Sequence, residues 1–392
     1  MTSAPEELLR GVRVLDFTQV LSGPFATMLM ADAGAEVVKV ERPGRGDVTR
    51  QWGPPFYHGE SLYFLAFNRG KRSIDLDLGN PNDAAVARGL ADASDVVIEN
   101  LRPGTLDRCN LGADACRARN PRLIYVSIAG YAANGPRARD PALEVMLEAE
   151  TGLMAITGPP DGQQPTRLGV AAIDMMAGMN AVAAVFAALY QRARTGEGTH
   201  VVVTLEEAAA VMMTHPWWLA LVGGVTYPPS GSGHPNIAPY EAFATRDRPI
   251  LCGAVTDEEF VRLCRIVERP EWAHVREWAT NADRVRHRDA LHAALEARFR
   301  ARSAEEWERA LRSARLPVAV VRPMREAAEQ WYNSSAPRVT AHTRPGDHWA
   351  WPTMGWLTTR SHTQEPPRLG ADRAAILQDW GQPTHPGPVG SE

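Results

Sequence analysis

VRVLDFTQVLSGPFATMLMADAGAEVVKVE, residues 12–41, is the stretch whose reading decides the fold. Val12-Arg-Val-Leu-Asp-Phe17 reads as a buried strand that ends in the turn Ser22-Gly23-Pro24. Phe25 to Ala33 reads as a helix closed by Gly34, and Glu36-Val-Val-Lys-Val-Glu41 as a second strand stopped by Pro43-Gly44. Strand, helix and strand at this spacing point to a parallel sheet with helical crossovers. The same rhythm continues along the chain. Lys71-Arg-Ser-Ile-Asp-Leu-Asp-Leu78 alternates as a third strand, and Asn80-Pro81 opens a helix over residues 82–93. Asp95-Val-Val-Ile-Glu99 and Leu123-Ile-Tyr-Val-Ser-Ile128 follow as strands, and His200-Val-Val-Val-Thr204 as a later one.

The expected architecture is therefore α/β: a doubly wound, mostly parallel, Rossmann-like sheet in a large domain, with a smaller α/β domain beside it. A chain of 392 residues is too long for one compact core, which favours two domains. The Gly/Pro-rich run from Gly223-Gly224 to Gly231-Ser-Gly-His-Pro235 reads as a linker or mobile loop. We place the large domain at residues 1–224 and the small one at 225–325. Residues 326–392, Pro-rich and ending in a helix at Ala371 to Trp380, return to the large domain.

Composition excludes several classes. A net charge of -4 gives no general attraction to nucleic acid or to an anionic membrane. The four cysteines lack CxxC spacing, so they read as reduced thiols and not as metal ligands. No apolar leader stands at the N-terminus, and the apolar run Met175 to Tyr190 falls short of the roughly 20 residues a membrane span needs. A cytoplasmic protein is expected. Gly44-Arg-Gly-Asp-Val-Thr49 lacks the last glycine of a dinucleotide fingerprint, and Leu65 stands where a P-loop ending in Lys71 would need glycine. Neither a zinc-protease motif nor a G-x-S-x-G elbow is present.

Ligands on such sheets bind beyond the carboxyl ends of the strands. Those loops hold residues 19–24, 42–50, 100–104 and 130–140, each with Gly or Pro beside a polar or basic side chain. Asp174 is the other notable residue, a lone carboxylate in the apolar stretch Leu168-Gly-Val-Ala-Ala-Ile-Asp-Met-Met-Ala-Gly-Met-Asn180. Placed just ahead of a long small-residue helix, it either caps that helix or does chemistry.

An ordered set of segments resembles the class III CoA-transferases, which include formyl-CoA transferase and carnitine CoA-transferase and are related to α-methylacyl-CoA racemase. The matching pieces include Leu9-Arg-Gly-Val-Arg-Val-Leu-Asp-Phe-Thr-Gln-Val-Leu-Ser-Gly-Pro24, Gly34-Ala-Glu-Val-Val-Lys-Val-Glu-Arg-Pro-Gly44 and Asn68-Arg-Gly-Lys-Arg-Ser-Ile-Asp-Leu76. Ile98-Glu-Asn-Leu-Arg-Pro-Gly104, Thr151-Gly-Leu-Met154 and Arg194-Thr-Gly-Glu-Gly198 continue the match over the first 210 residues.

The resemblance implies transfer of CoA from an acyl-CoA thioester to a free carboxylic acid, with Asp174 as the nucleophile. Glu144 would help position the reacting carboxylates. Arg42, Asn100, Leu101 and Arg108 fall on the family's CoA contacts, and Leu76 on the adenine side. Gln19, Val20, Leu21 and Ser22 would approach the pantetheine and the thioester; Lys71 and Arg72 are weaker candidates, more often sheet-edge charges. CoA is then a substrate, and no permanent cofactor or metal is implied. The family also implies an interlaced homodimer with the active site between large and small domains. Racemase relatives carry a His where Leu143 stands here, which argues against racemisation. A CoA-ester-binding protein without activity is the rival outside catalysis, and the presence of Asp174 speaks against it. His234 and Tyr240 suit either a gate or a linker with a packed Tyr, and Trp217 and Trp218 suit core or interface burial.

Overall fold

The computed structural model describes residues 7–160, 162, 164–226, 228–334, 338–341, 349–355 and 365–380. The chain forms two compact units: Met1–Thr151, Gly169–His215 and Ser335–Glu392 make the first, Gly152–Leu168 and Pro216–Ser334 the second. Residues 152–168 and 216–224, which the sequence reading gave to the large domain, thus lie with the second unit.

The first unit is built on a six-stranded sheet of β1 (Arg13–Asp16), β2 (Glu36–Glu41), β3 (Lys71–Asp75), β4 (Val96–Glu99), β5 (Ile124–Ala129) and β6 (His200–Thr204). The strand order is β3-β2-β1-β4-β5-β6, and every neighbouring pair is parallel. The chain winds from β1 to β2 and β3 on one side, then crosses to β4 on the other. The switch point therefore falls between β1 and β4, where the crevice at the strand ends opens in such sheets.

The two faces of the sheet differ. Leu15, Val38, Ile74, Val97 and Tyr125 share one apolar core with the helix α2 (Pro81–Asp92), with Cys116 of α3 (Ala113–Arg119), and with Ile376 and Trp380 of the helix Arg373–Trp380. On the first unit's other helices, α1 (Ser22–Asp32) is buried along its whole length. The chain then supplies α4 (Glu144–Glu150), α5 (Ala172–Thr195) and α6 (Leu205–Met212). Helix α5 packs on α1, and α4 packs against both α5 and α6.

Two boundaries correct the sequence reading in ways that matter for the site. The expected turn Ser22-Gly23-Pro24 is the first turn of α1, because proline is tolerated there, where its missing N–H has no helical acceptor. Helix α5 begins at Ala172, before Asp174, and runs 24 residues. It is long and apolar enough to cross a membrane by length and composition, which corrects the estimate from Met175 to Tyr190. Its face with Ile173, Ala177, Gly178, Ala181 and Val185 is nonetheless buried within the protein.

The second unit pairs β7 (Tyr240–Phe243), β8 (Ile250–Gly253) and β9 (Val318–Val320) in an antiparallel sheet of order β9-β8-β7. Helices α7 (Asp257–Ile266), α8 (Arg288–Phe299) and α9 (Ala304–Ser313) cover it, with Phe243, Phe260, Leu263, Phe299 and Trp307 at the core. Capping boxes at Thr256/Glu259 and Ser303/Glu306 fix where α7 and α9 start.

Candidate active site

The loop that follows β1 is held from both sides of the switch point. Asn100, after β4, accepts the Gln19 N–H at 2.8 Å and donates to the Gln19 carbonyl at 2.7 Å. From the other side, Lys39 of β2 donates to the Thr18 carbonyl at 2.7 Å and pairs with Asp47 at 3.0 Å. Asp47 in turn accepts the Val20 N–H at 3.3 Å. Val20 sits at φ 70°, a left-handed conformation that costs energy for a β-branched residue and persists only where the surroundings impose it.

Beneath this loop lies a buried polar layer that the sequence did not reveal. Asp16 accepts bonds from Thr18 N–H and from the hydroxyls of Thr18 and Thr27 at 2.8, 2.5 and 2.7 Å. Lys71 reaches it at 3.2 Å, and also donates to the Pro24 carbonyl and to Asn68. Burial opposes ionisation of Asp16, but Lys71, Lys39 and the two hydroxyls outweigh it and hold the carboxyl down at about 2. Burial draws Lys71 down from the usual lysine value, against the pull of Asp16. Lys71 is therefore neither a sheet-edge charge nor free for a phosphate, because its ammonium is committed to protein acceptors under α1. Arg72 pairs with Asp379 at 2.7 Å.

Asp174 is the third residue of α5. The N-cap position belongs to Ala171, which makes no side-chain cap, so the plain capping role is excluded. Its carboxylate instead accepts a hydrogen bond from the Ser22 hydroxyl, at the N-terminus of α1. Close approach of the two helices makes this contact. A Cβ on Gly178, one turn along from Asp174, would lie 2.6 Å from the Ser22 carbonyl oxygen and 3.0 Å from Phe25. Gly23 serves the same geometry, since its Cβ would collide with Thr18 at 2.2 Å. Burial raises the Asp174 carboxyl to about 6, with the Ser22 bond acting in the opposite direction.

Glu144, the first residue of α4, meets the same helix start. Its buried carboxyl accepts the Ile173 N–H, bonds to Glu148, and feels the charge of Asp174. Burial first, then those two acids, hold it well above the usual glutamate value. Ser22, Glu144 and Asp174 are thus brought together by three helix N-termini, where backbone N–H groups favour anions.

The residues expected at CoA divide differently. Arg42 and Arg108 are exposed, in the loops that follow β2 and β4. Leu101 borders a cavity of about 410 Å³ with Arg102, Tyr131, Arg139 and His200. Leu76 is 2% exposed and packs in the apolar core, so its side chain offers no adenine contact and only its backbone remains for one. Asn100 is occupied by Gln19 and acts on the loop. Leu143 is exposed at the N-cap of α4 and supplies no base. In the second unit His234 stacks on Tyr240 at 5.6 Å and Arg288 holds the Pro235 and Ile237 carbonyls, so this segment is anchored as a packed turn. Trp218 is exposed on its helix and so is not a core residue. Sequence reading missed Lys39, Asp47, Glu148 and Gly178; only the odd placement of lysines inside apolar strands hinted at the first.

The pairing of Ser22 with Asp174 sets a pH dependence. A reaction that needs the Asp174 carboxylate should gain rate as pH rises through about 6. Ser22→Ala removes the donor that favours ionisation and should move this acid limb up by about one unit. Profiles of kcat/KM for both proteins check it.

Comparison with known proteins places this geometry in context. A family model described as CoA-transferase family III matches residues 9–373. The chain is 37% identical over 380 residues to the succinyl-CoA:glutarate CoA-transferase of Mus musculus, covering 95% of this chain and 86% of the relative. It is also 37% identical over 325 residues to the acetyl-CoA:oxalate CoA-transferase of Acetobacter aceti, covering 83% of each. Its backbone is similar to the crystal structure of a CAIB/BAIF family protein from Brucella suis, with a TM-score of 0.82 and 31% identity over 95% of this chain and 98% of that one.

Proposed function

Because this chain belongs to CoA-transferase family III and is a CoA-transferase acting on acyl-CoA thioesters and carboxylic acids, we propose that Asp174 carries the CoA transfer as its covalent nucleophile. Its carboxylate attacks the acyl-CoA carbonyl and expels CoA thiolate, giving a mixed aspartyl anhydride. The thiolate attacks the aspartyl carbonyl, releases the first acid and leaves an aspartyl-CoA thioester. The acceptor carboxylate then attacks that thioester, and CoA returns to the acceptor's own carbonyl, regenerating Asp174. Thioester free energy passes from acid to acid, and no nucleotide is consumed.

The observation that carries this reading is the meeting of Asp174 with Ser22 and Glu144 at clustered helix starts. A carboxyl raised to about 6 is ionised at neutral pH yet more basic than an ordinary aspartate, which strengthens it as a nucleophile. The N–H groups of residues 18–20 are spent on Asp16, Asn100 and Asp47, so the clamp fixes the loop's path and the helix starts around Asp174 would supply the field that stabilises developing oxyanions. The relatives' names pair succinyl-CoA with glutarate and acetyl-CoA with oxalate, so succinyl-CoA and acetyl-CoA are the donors to try first, with the dicarboxylates glutarate and oxalate as acceptors.

For CoA itself we infer that the Gln19, Val20, Leu21 and Ser22 loop lies along the pantetheine, with Leu101 beside it. Arg42 and Arg108 hold phosphate, for which exposed guanidinium groups are suited. The protein acts as a homodimer in this reading, and light scattering on the purified protein tests that. Arg42→Ala should raise KM for acyl-CoA by about tenfold while leaving kcat nearly unchanged. Incubation with an acyl-CoA followed by hydroxylamine or borohydride tests the covalent step: the adduct should map to Asp174. An adduct on another residue, or none during turnover, would overturn the proposal.

A further inference from the structure

Asp47 joins two loops that the transfer chemistry above treats separately. It is buried, and it follows the turn in which the Arg42 carbonyl accepts the Gly46 N–H at 2.8 Å. One carboxylate oxygen accepts the Thr49 N–H at 2.9 Å, the Thr49 hydroxyl at 2.8 Å and the Val20 N–H at 3.3 Å. The other pairs with Lys39 at 3.0 Å, and Lys39 holds the Thr18 carbonyl at 2.7 Å. The Asp47 N–H donates to Glu41 at 2.9 Å. Glu41 ends β2 and is itself fixed, by Arg50 at 2.7 and 2.8 Å and by the Ser73 hydroxyl of β3 at 2.6 Å. Asp47 thus stands on a braced base where it meets residue 20. The segment Gly44-Arg-Gly-Asp-Val-Thr49, which fails as a dinucleotide fingerprint, is shaped for this. Gly46 turns the chain at φ 64°, where a Cβ would meet Arg50 at 2.6 Å and Glu41 at 2.7 Å.

Val20 needs such a hold. A β-branched residue at φ 70° leaves that conformation unless its surroundings impose it. Asp16 and Asn100 secure the N–H groups of the two residues before it, and Asp47 takes the N–H of the strained residue itself. Two residues further on, Ser22 begins α1. Resting on the reading that residues 19–22 lie along the pantetheine, we propose that Asp47 is a positioning residue for the transfer. It holds residue 20 in its left-handed turn and so sets the path by which the thioester-binding loop enters α1. Asp47 acts through Val20 and not on CoA.

Asp47→Ala should lower kcat/KM for acyl-CoA by about a hundredfold, the scale of a misplacement of about 1 Å near reacting groups. Affinity for adenosine 3′,5′-bisphosphate, which has the phosphates and lacks the pantetheine, should change little, because the Arg42 turn closes through its own backbone. Adding Val20→Gly to Asp47→Ala should recover about tenfold, since glycine takes a left-handed conformation without steric cost. Unchanged turnover, a matching loss of bisphosphate binding, or no recovery on adding Val20→Gly would each overturn the proposal. A role confined to stability, or to the shape of Asp47's own loop, predicts the last two. If Asp47→Ala does not fold, Asp47→Asn decides, because its amide keeps the shape but no longer carries the charge that pairs with Lys39. A smaller loss of kcat/KM with bisphosphate affinity kept supports the proposal; no loss, or one shared by the bisphosphate, overturns it. Adduct trapping on the wild type separates this from the transfer reading. An Asp174 adduct together with wild-type turnover in Asp47→Ala overturns the role of Asp47 alone. Absence of any adduct overturns the nucleophile, while bisphosphate binding and the Val20→Gly rescue still report on Asp47.

Discussion

Asp174→Ala should lower kcat by about ten-thousand-fold or more while leaving CoA affinity within a few-fold of the wild type. Loss of a covalent nucleophile removes the reaction path itself, and such removals are among the largest single-residue effects known in enzymes. Binding should survive because the groups assigned to CoA, Arg42, Arg108 and the loop at residues 19–22, belong to other loops of the sheet. The fold should survive too. Asp174 is not the N-cap of α5, so its loss does not remove a cap. Calorimetric titration with CoA, beside steady-state rates, separates the two effects.

Gly178→Val should have the next largest effect, and it acts from outside the site. The substitution drives a side chain into the Ser22 backbone carbonyl, 2.6 Å from the first added atom. Backbone cannot rotate out of the way, so α5 must move off α1. Overpacking of this kind costs about 1–3 kcal/mol of stability. The same displacement parts Ser22 from Asp174, and a shift of about 1 Å at a reacting group lowers catalysis by about a hundredfold. Gly178→Ala should give a smaller loss of the same kind. A Gly178→Val protein that melts a few degrees lower yet turns over at the wild-type rate would contradict this account of the helix contact.

The sheet was legible because β1, β2, β4 and β5 are short apolar runs separated by helices, and parallel strands covered on both faces carry that signature. The polar layer was not. Lys39, Lys71 and Asp16 occupy strand positions where alternation predicts solvent, yet α1 lies over them. Local pattern cannot say which face a helix will cover. Asp174 was recognisable as an oddity, but its partner Ser22 lies about 150 residues away in sequence, and only packing through Gly178 and Gly23 joins them. Glu148 carries no local signal of burial; its full burial follows from α5 and α6 packing against α4. The assignment of residues 152–168 to the second unit likewise depends on long-range contacts. Leu76 shows the opposite failing, since family position marked it for ligand and the core claimed its side chain.

The most direct test follows one oxygen atom. The acceptor acid, labelled with heavy oxygen in its carboxylate, is turned over with unlabelled acyl-CoA, and the Asp174 peptide is then weighed by mass spectrometry. If Asp174 forms the anhydride, its carboxylate must keep one acceptor oxygen each time CoA leaves for the product, so label should accumulate there with turnover. Product formed at full rate with an unlabelled Asp174 would contradict the nucleophilic role.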